Sequence, residues 1–134
     1  MDQRPRPPER VWRVVVAGDS MRPALAAGDW LLVDPTTSRW PRRGTIVVVR
    51  EPGSELLVVK RLAGRPGDGL PTPDGPRKLG DDKAWLLGDA PDASVDSRSY
   101  GPVGLERLVG RAWLRYGPPG RPLGLISRFR PRTG

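Results

Sequence analysis

Short apolar runs, each cut off by glycine, proline or an acid, set the rhythm of this chain. Residues 11–17 end in Val14-Val15-Val16-Ala17 and read as a first strand. Trp30-Leu31-Leu32-Val33 is a second, closed by Asp34-Pro35. Residues 45–50 form a third, rich in β-branched side chains. Residues 56–62 form a fourth, and the turn Glu51-Pro52-Gly53-Ser54 ahead of it predicts a hairpin. Residues 84–87 make a short strand, and residues 111–116 alternate charged and apolar as a half-buried strand does. Residues 105–110 are either a helical turn or the start of that last strand. Residues 20–27 suit a short helical turn or an irregular loop. Residues 36–44 and the glycine- and proline-dense residues 64–80 read as loops, and residues 90–101 as polar turns. With no long amphipathic helix and no internal repeat, the fold class is mainly β.

Composition agrees. At 134 residues, with 17 Gly and 17 Pro, the chain has the size of one domain made of short strands and many turns. Its expected layout is a disordered basic lead over residues 1–10, a core over 11–117 and a basic tail over 118–134. There is no Cys and no His. That removes disulfides, Ser-His-Asp and Cys-His catalysis and His/Cys zinc sites together. The net charge is +8, carried almost wholly by arginine; the lysines are Lys60, Lys78 and Lys83. Spread as they are, the arginines read as a solvated basic surface sooner than as a nucleic-acid site, and no nucleic acid is expected as partner. No run approaches the ~18–20 apolar residues that cross a bilayer, and the N-terminus has no apolar signal region. The expected location is cytoplasmic.

Three stretches carry candidate chemistry. Gly18-Asp19-Ser20-Met21-Arg22-Pro23 places a serine on a turn directly after a strand. Without histidine, a nucleophilic Ser20 needs Lys or a carboxylate as its base. Strand alternation sets Leu56, Val58, Lys60 and Leu62 on one face. Lys60 is then either a strand end whose amine reaches water or a buried amine held neutral and able to take a proton. Residues 88–98 are dense in carboxylates and hydroxyls. Asp96 and Arg98 are spaced to pair, while Asp92 with Asp96 does not match a calcium-loop pattern, so neither metal nor cofactor is expected.

Taken together these stretches resemble the type I signal peptidases, family S26. Gly18 to Leu25 looks like the family's serine box, and Gly28-Asp29 before an apolar strand looks like its second. Val59-Lys60-Arg61-Leu62-Ala63-Gly64-Arg65-Pro66-Gly67-Asp68 is similar to its lysine box. Gly88-Asp89-Ala90-Pro91-Asp92-Ala93-Ser94-Val95-Asp96-Ser97-Arg98 is similar to its last. The four occur in order across most of the chain. The resemblance implies a serine endopeptidase with the β-sheet core shared by signal peptidases and LexA-type domains. In it Ser20 is the nucleophile and neutral Lys60 the general base. Ser94 orients the lysine, Asp96 and Arg98 support the site, and the Ser20 N–H is one oxyanion donor.

The departures bear on substrate. Gly18 stands where many members place a hydroxyl residue, and Ala90 where Asn is usual. Only residues 68–88 separate the lysine box from the last one. So small a core resembles the bacterial proteases that mature nickel-type superoxide dismutase. The expected partner is a protein or peptide with small residues near the scissile bond. Leu125-Ile126 beside Arg128, Phe129 and Arg130 suits weak peripheral contact with anionic lipid. The alternatives are a membrane-surface signal peptidase acting on secreted preproteins, a LexA-type self-cleaving domain, and a catalytically weak peptide-binding module.

Overall fold

The computed structural model describes residues 10–126. The strands are β1 (Arg13–Val15), β2 (Trp30–Asp34), β3 (Ile46–Arg50), β4 (Leu57–Gly64), β5 (Gly69–Leu70), β6 (Arg77–Lys78), β7 (Lys83–Leu87), β8 (Val103–Gly104), β9 (Leu108–Gly117) and β10 (Gly124–Leu125). One four-residue helix, α1 (Ser97–Tyr100), and 3-10 turns at Pro91–Ala93 and Leu105–Arg107 complete the elements among the described residues. Eight strands make an antiparallel sheet in the order β1-β2-β9-β3-β4-β7-β8, with β10 on β9. The fold is mainly β, as the short apolar runs imply.

The sheet is buried on both faces at its centre. Val47 and Val49 of β3 join Leu62, Leu86, Val103 and Trp40 in one cluster, and Ile46, pointing to the other face, joins Met21, Leu25, Leu31 and Ala112 in another. This is why β3 is a continuous β-branched run rather than an alternating one. The β3–β4 hairpin pairs Val47 with Lys60 and Val49 with Val58. Lys60 therefore lies on the face of the Val47–Leu62 cluster.

Two expectations change. Residues 64–80 are not a plain loop: Gly69–Leu70 and Arg77–Lys78 pair as a two-stranded ribbon. The period of two is too short there to be legible. Leu56 does not join the buried face; it is 65% exposed, because it lies in the turn that joins β3 to β4. Residues 105–110 combine both readings offered for them, a 3-10 turn and then β9. Arg128, Phe129 and Arg130 lie outside the described residues, as does the lead apart from Arg10.

Two backbone edges stay open. β7 pairs with β4 only from Arg61 onward, so Leu57 to Lys60 has β3 on one side and no strand on the other among the described residues. β1 likewise pairs with β2 alone.

Candidate active site

Ser20 lies in the excursion between β1 and β2. That loop is pinched at its base, where the Val16 N–H donates to the Asp29 carbonyl and the Gly28 N–H to the Val16 carbonyl, at 2.8 and 2.7 Å. Met21 and Leu25 anchor it in the second cluster. Asp29 is buried and accepts from the Ala26 N–H at 2.9 Å and from Arg121. The loop is thus fixed on either side of the serine. The Ser20 side chain is half-buried, and neither its hydroxyl nor its N–H has a hydrogen-bond partner among the described residues.

Lys60 is only 4% exposed. Its Nζ donates to Ser94 Oγ at 3.2 Å, and Ser94 Oγ donates to Asp96 Oδ2 at 2.8 Å. Asp96, fully buried, also accepts from the Gly88 N–H at 2.9 Å and from Arg98 through its N–H, Nε and Nη2. Burial lowers the Lys60 pKa, and the Arg98 charge adds to this; Asp96 and Glu51 pull the other way. Burial by itself would raise the Asp96 carboxyl. The bonds from Arg98, Gly88 and Ser94 outweigh that and hold it well below the usual carboxylate range. With both Asp96 oxygens taken, and Asp92 not among its partners, the carboxylate is committed to the hydroxyl and the guanidinium.

Ser20 and Lys60 line one cavity of about 540 Å³. The open edge of β1 and the open stretch of β4 border it, and Met21, Glu51 and Val95 also face it. A half-buried hydroxyl and a buried amine whose pKa burial lowers, facing the same cleft, are the parts of a nucleophile and its base. All five predicted residues fall here: Ser20 and Lys60 on the cleft, with Ser94, Asp96 and Arg98 in sequence behind the lysine. Gly88 joins the two halves. A Cβ on it would lie 2.5 Å from Ser94 Cβ and 2.7 Å from the Ser20 carbonyl oxygen.

Three contributions escape a reading of the sequence. Arg61 grips both oxygens of Asp89, at 2.8 and 2.7 Å, and the Gly44 carbonyl at 2.8 Å, tying the strand of Lys60 to the loop of Ser94. Ser97 Oγ accepts from the Leu86 N–H at 2.9 Å. The Tyr100 hydroxyl is buried with no partner among the described residues. Its phenol is pushed up to about 12, by burial first and then by the charges of Glu51 and Asp96. The first two join a strand to a loop and to a helix distant in sequence, contacts that spacing does not encode. The third concerns an aromatic next to a glycine, a common sight.

Residues 11–76 and 69–117 match the family described as signal peptidase, peptidase S26. The chain is 36% identical over 117 residues to the mitochondrial ATP-independent inner membrane protease subunit 1a of Arabidopsis thaliana, covering 78% of this chain and 69% of that one. It is 35% identical over 114 residues to the mitochondrial inner membrane protease subunit 1 of Schizosaccharomyces pombe, covering 74% and 71%. It is 27% identical over 140 residues to signal peptidase I T of Bacillus subtilis, covering 78% and 72%.

Proposed function

The chain belongs to the signal peptidase family, peptidase S26, and is a serine peptidase of that type; we propose that Ser20 is its nucleophile and Lys60 its general base. The observation that carries this is the burial of Lys60 against Ser94, on the cleft that Ser20 lines.

The steps follow from those groups. Neutral Lys60 takes the proton of the Ser20 hydroxyl as Oγ bonds to the scissile carbonyl carbon. The oxyanion that forms draws on the unclaimed Ser20 N–H. The C–N bond breaks, Lys60 returns its proton to the departing amine, and the acyl group stays on Ser20. Lys60 then takes a proton from water as the water oxygen bonds to the ester carbon; the C–O bond to Ser20 breaks and Lys60 returns that proton to Ser20 Oγ, which frees the acid and restores the neutral amine. Gly18 offers no side-chain donor to the oxyanion, and a Cβ there would meet nothing within 4 Å. Ser94, Asp96 and Arg98 act through Lys60 as positioning residues.

The substrate we infer is a protein whose N-terminal presequence lies extended between the β1 and β4 edges, where main-chain bonding suits any sequence and the apolar walls suit small residues. The relatives are named as inner membrane proteases and a signal peptidase, and none of those names supports a nickel-superoxide dismutase precursor as substrate. Among the described residues no helix is long and apolar enough to cross a membrane. Exposed Trp12, Leu123 and Leu125 support peripheral contact with a lipid surface.

The test is a cleavage assay read by mass spectrometry, with wild type and Ser20→Ala incubated with an alanine-rich presequence peptide and with the superoxide dismutase precursor. Ser20-dependent cutting of the presequence peptide is expected. Cutting that persists in Ser20→Ala would remove the proposed nucleophile.

A further inference from the structure

A second cavity, of about 590 Å³, lies between the β5–β6 ribbon, β7 and the chain that follows α1. It shares no lining residue with the cleft of Ser20, and its volume is that of small-ligand pockets. Leu79, Trp85 and Leu87 supply apolar walls. Behind them Gly64 packs closely, since a Cβ on it would lie 3.0 Å from Leu79 Cδ1 and 3.1 Å from Trp85 Cβ. The walls are therefore backed by packed chain.

The charge around this cavity is one-sided. Arg77, Lys78 and Arg98 line it, and no Asp or Glu among the described residues does. Arg77 and Lys78 are exposed and make no ion pair among the described residues. Arg98 spends Nε and Nη2 on Asp96 and the Pro91 carbonyl, and its Nη1 has no partner among the described residues. Apolar walls alone would take any aliphatic molecule. Arg98 is already paired with Asp96, so the uncompensated charge at the cavity is that of Arg77 and Lys78, and it favours an anionic head over a cationic one.

We propose that this cavity binds an amphiphilic carboxylate, its aliphatic chain against Leu79, Trp85 and Leu87 and its head among Arg77, Lys78 and Arg98. This is independent of the peptidase reading, although Arg98 places the head one residue from the partners of Lys60.

The experiment is titration calorimetry of the full chain with decanoate, with 1-decanol as the uncharged control. Saturable binding at one site is expected, at least ~10-fold tighter than for decanol. Arg77→Glu with Lys78→Glu weakens it ~10-fold or more, whereas Arg10→Glu with Arg39→Glu, reversals of equal size away from the cavity, leaves it unchanged. Arg77→Gln with Lys78→Gln gives a smaller loss and serves if the reversal disturbs the ribbon. Absence of saturable binding up to ~1 mM, or equal losses in the two reversed variants, would overturn the proposal.

Discussion

The Ala90 N–H donates to the Ser20 carbonyl at 2.8 Å. This bond fastens the serine turn to the loop that carries Ser94, so the two halves of the site are held through backbone. Ala90, standing where the family commonly has Asn, makes the tie without a side chain.

Gly88 sits at the same seam. Adding a methyl there drives into Ser94 and the Ser20 carbonyl, and neither can yield without moving the site. Gly88→Ala is expected to lower stability by about 1–3 kcal/mol. Its kcat should fall more steeply, by ~100-fold, through misplacement of Ser20 and Ser94. Parallel denaturation and peptide-cleavage measurements separate the two effects.

As the proposed general base, Lys60 has to act in its neutral form, which burial favours. The rate should therefore climb as pH rises through its lowered pKa. Stability should climb as well, between that pKa and the ordinary lysine value, because the unfolded chain binds more protons there. Lys60→Met keeps the apolar stem, abolishes cleavage and removes this rise in stability. A pH series of melting curves on both proteins tests it.

Arg98 neutralises Asp96 and also lowers the Lys60 pKa directly. Arg98→Ala leaves Asp96 to favour the ammonium. The rising limb of the kcat/KM profile should then move to higher pH, with activity approaching wild type in alkaline solution. A limb that stays in place would deny Arg98 its electrostatic role.

Asp96→Asn strands a buried position built for an anion and should cost about 2–4 kcal/mol near neutral pH. The wild-type carboxyl is depressed, so its contribution is complete above the ordinary carboxylate value, ~4, and declines as pH falls below it. The stability gap between the two proteins should narrow in acid, as urea titrations at several pH values would reveal.

Tyr100 packs its ring against the Val47–Leu62 cluster, and its hydroxyl has no partner among the described residues. Tyr100→Phe is expected to leave stability unchanged or raise it by up to ~1 kcal/mol. A loss above ~1 kcal/mol would mean that the hydroxyl has a bonded partner.

Much of this was legible beforehand. The β-branched run of Ile46 to Val49 predicts a strand, though not its place at the centre of the sheet, and alternation puts Lys60 in line with Leu62, where both are buried. Alternation could not choose between a buried amine and one reaching water; Ser94, 34 positions away, settles the position of Nζ. Arg61 was hidden for a related reason. Its partner Asp89 lies across the β4–β7 pairing, and register between strands is a property of the assembled sheet. The ribbon of β5 and β6 has two residues per strand, too few for any period to appear.

The bond from Ser94 to Asp96 has a directional consequence. A serine hydroxyl owns one hydrogen, and an ionised carboxylate can only accept. With that hydrogen committed to Asp96, Ser94 can meet Lys60 solely as an acceptor. The amine must spend one of its own hydrogens on Ser94, so its lone pair, once the extra proton has left, points away from that oxygen. The order of the two bonds thus sets the polarity of the whole relay, leaving the basic electron pair to whatever hydroxyl approaches from the other side.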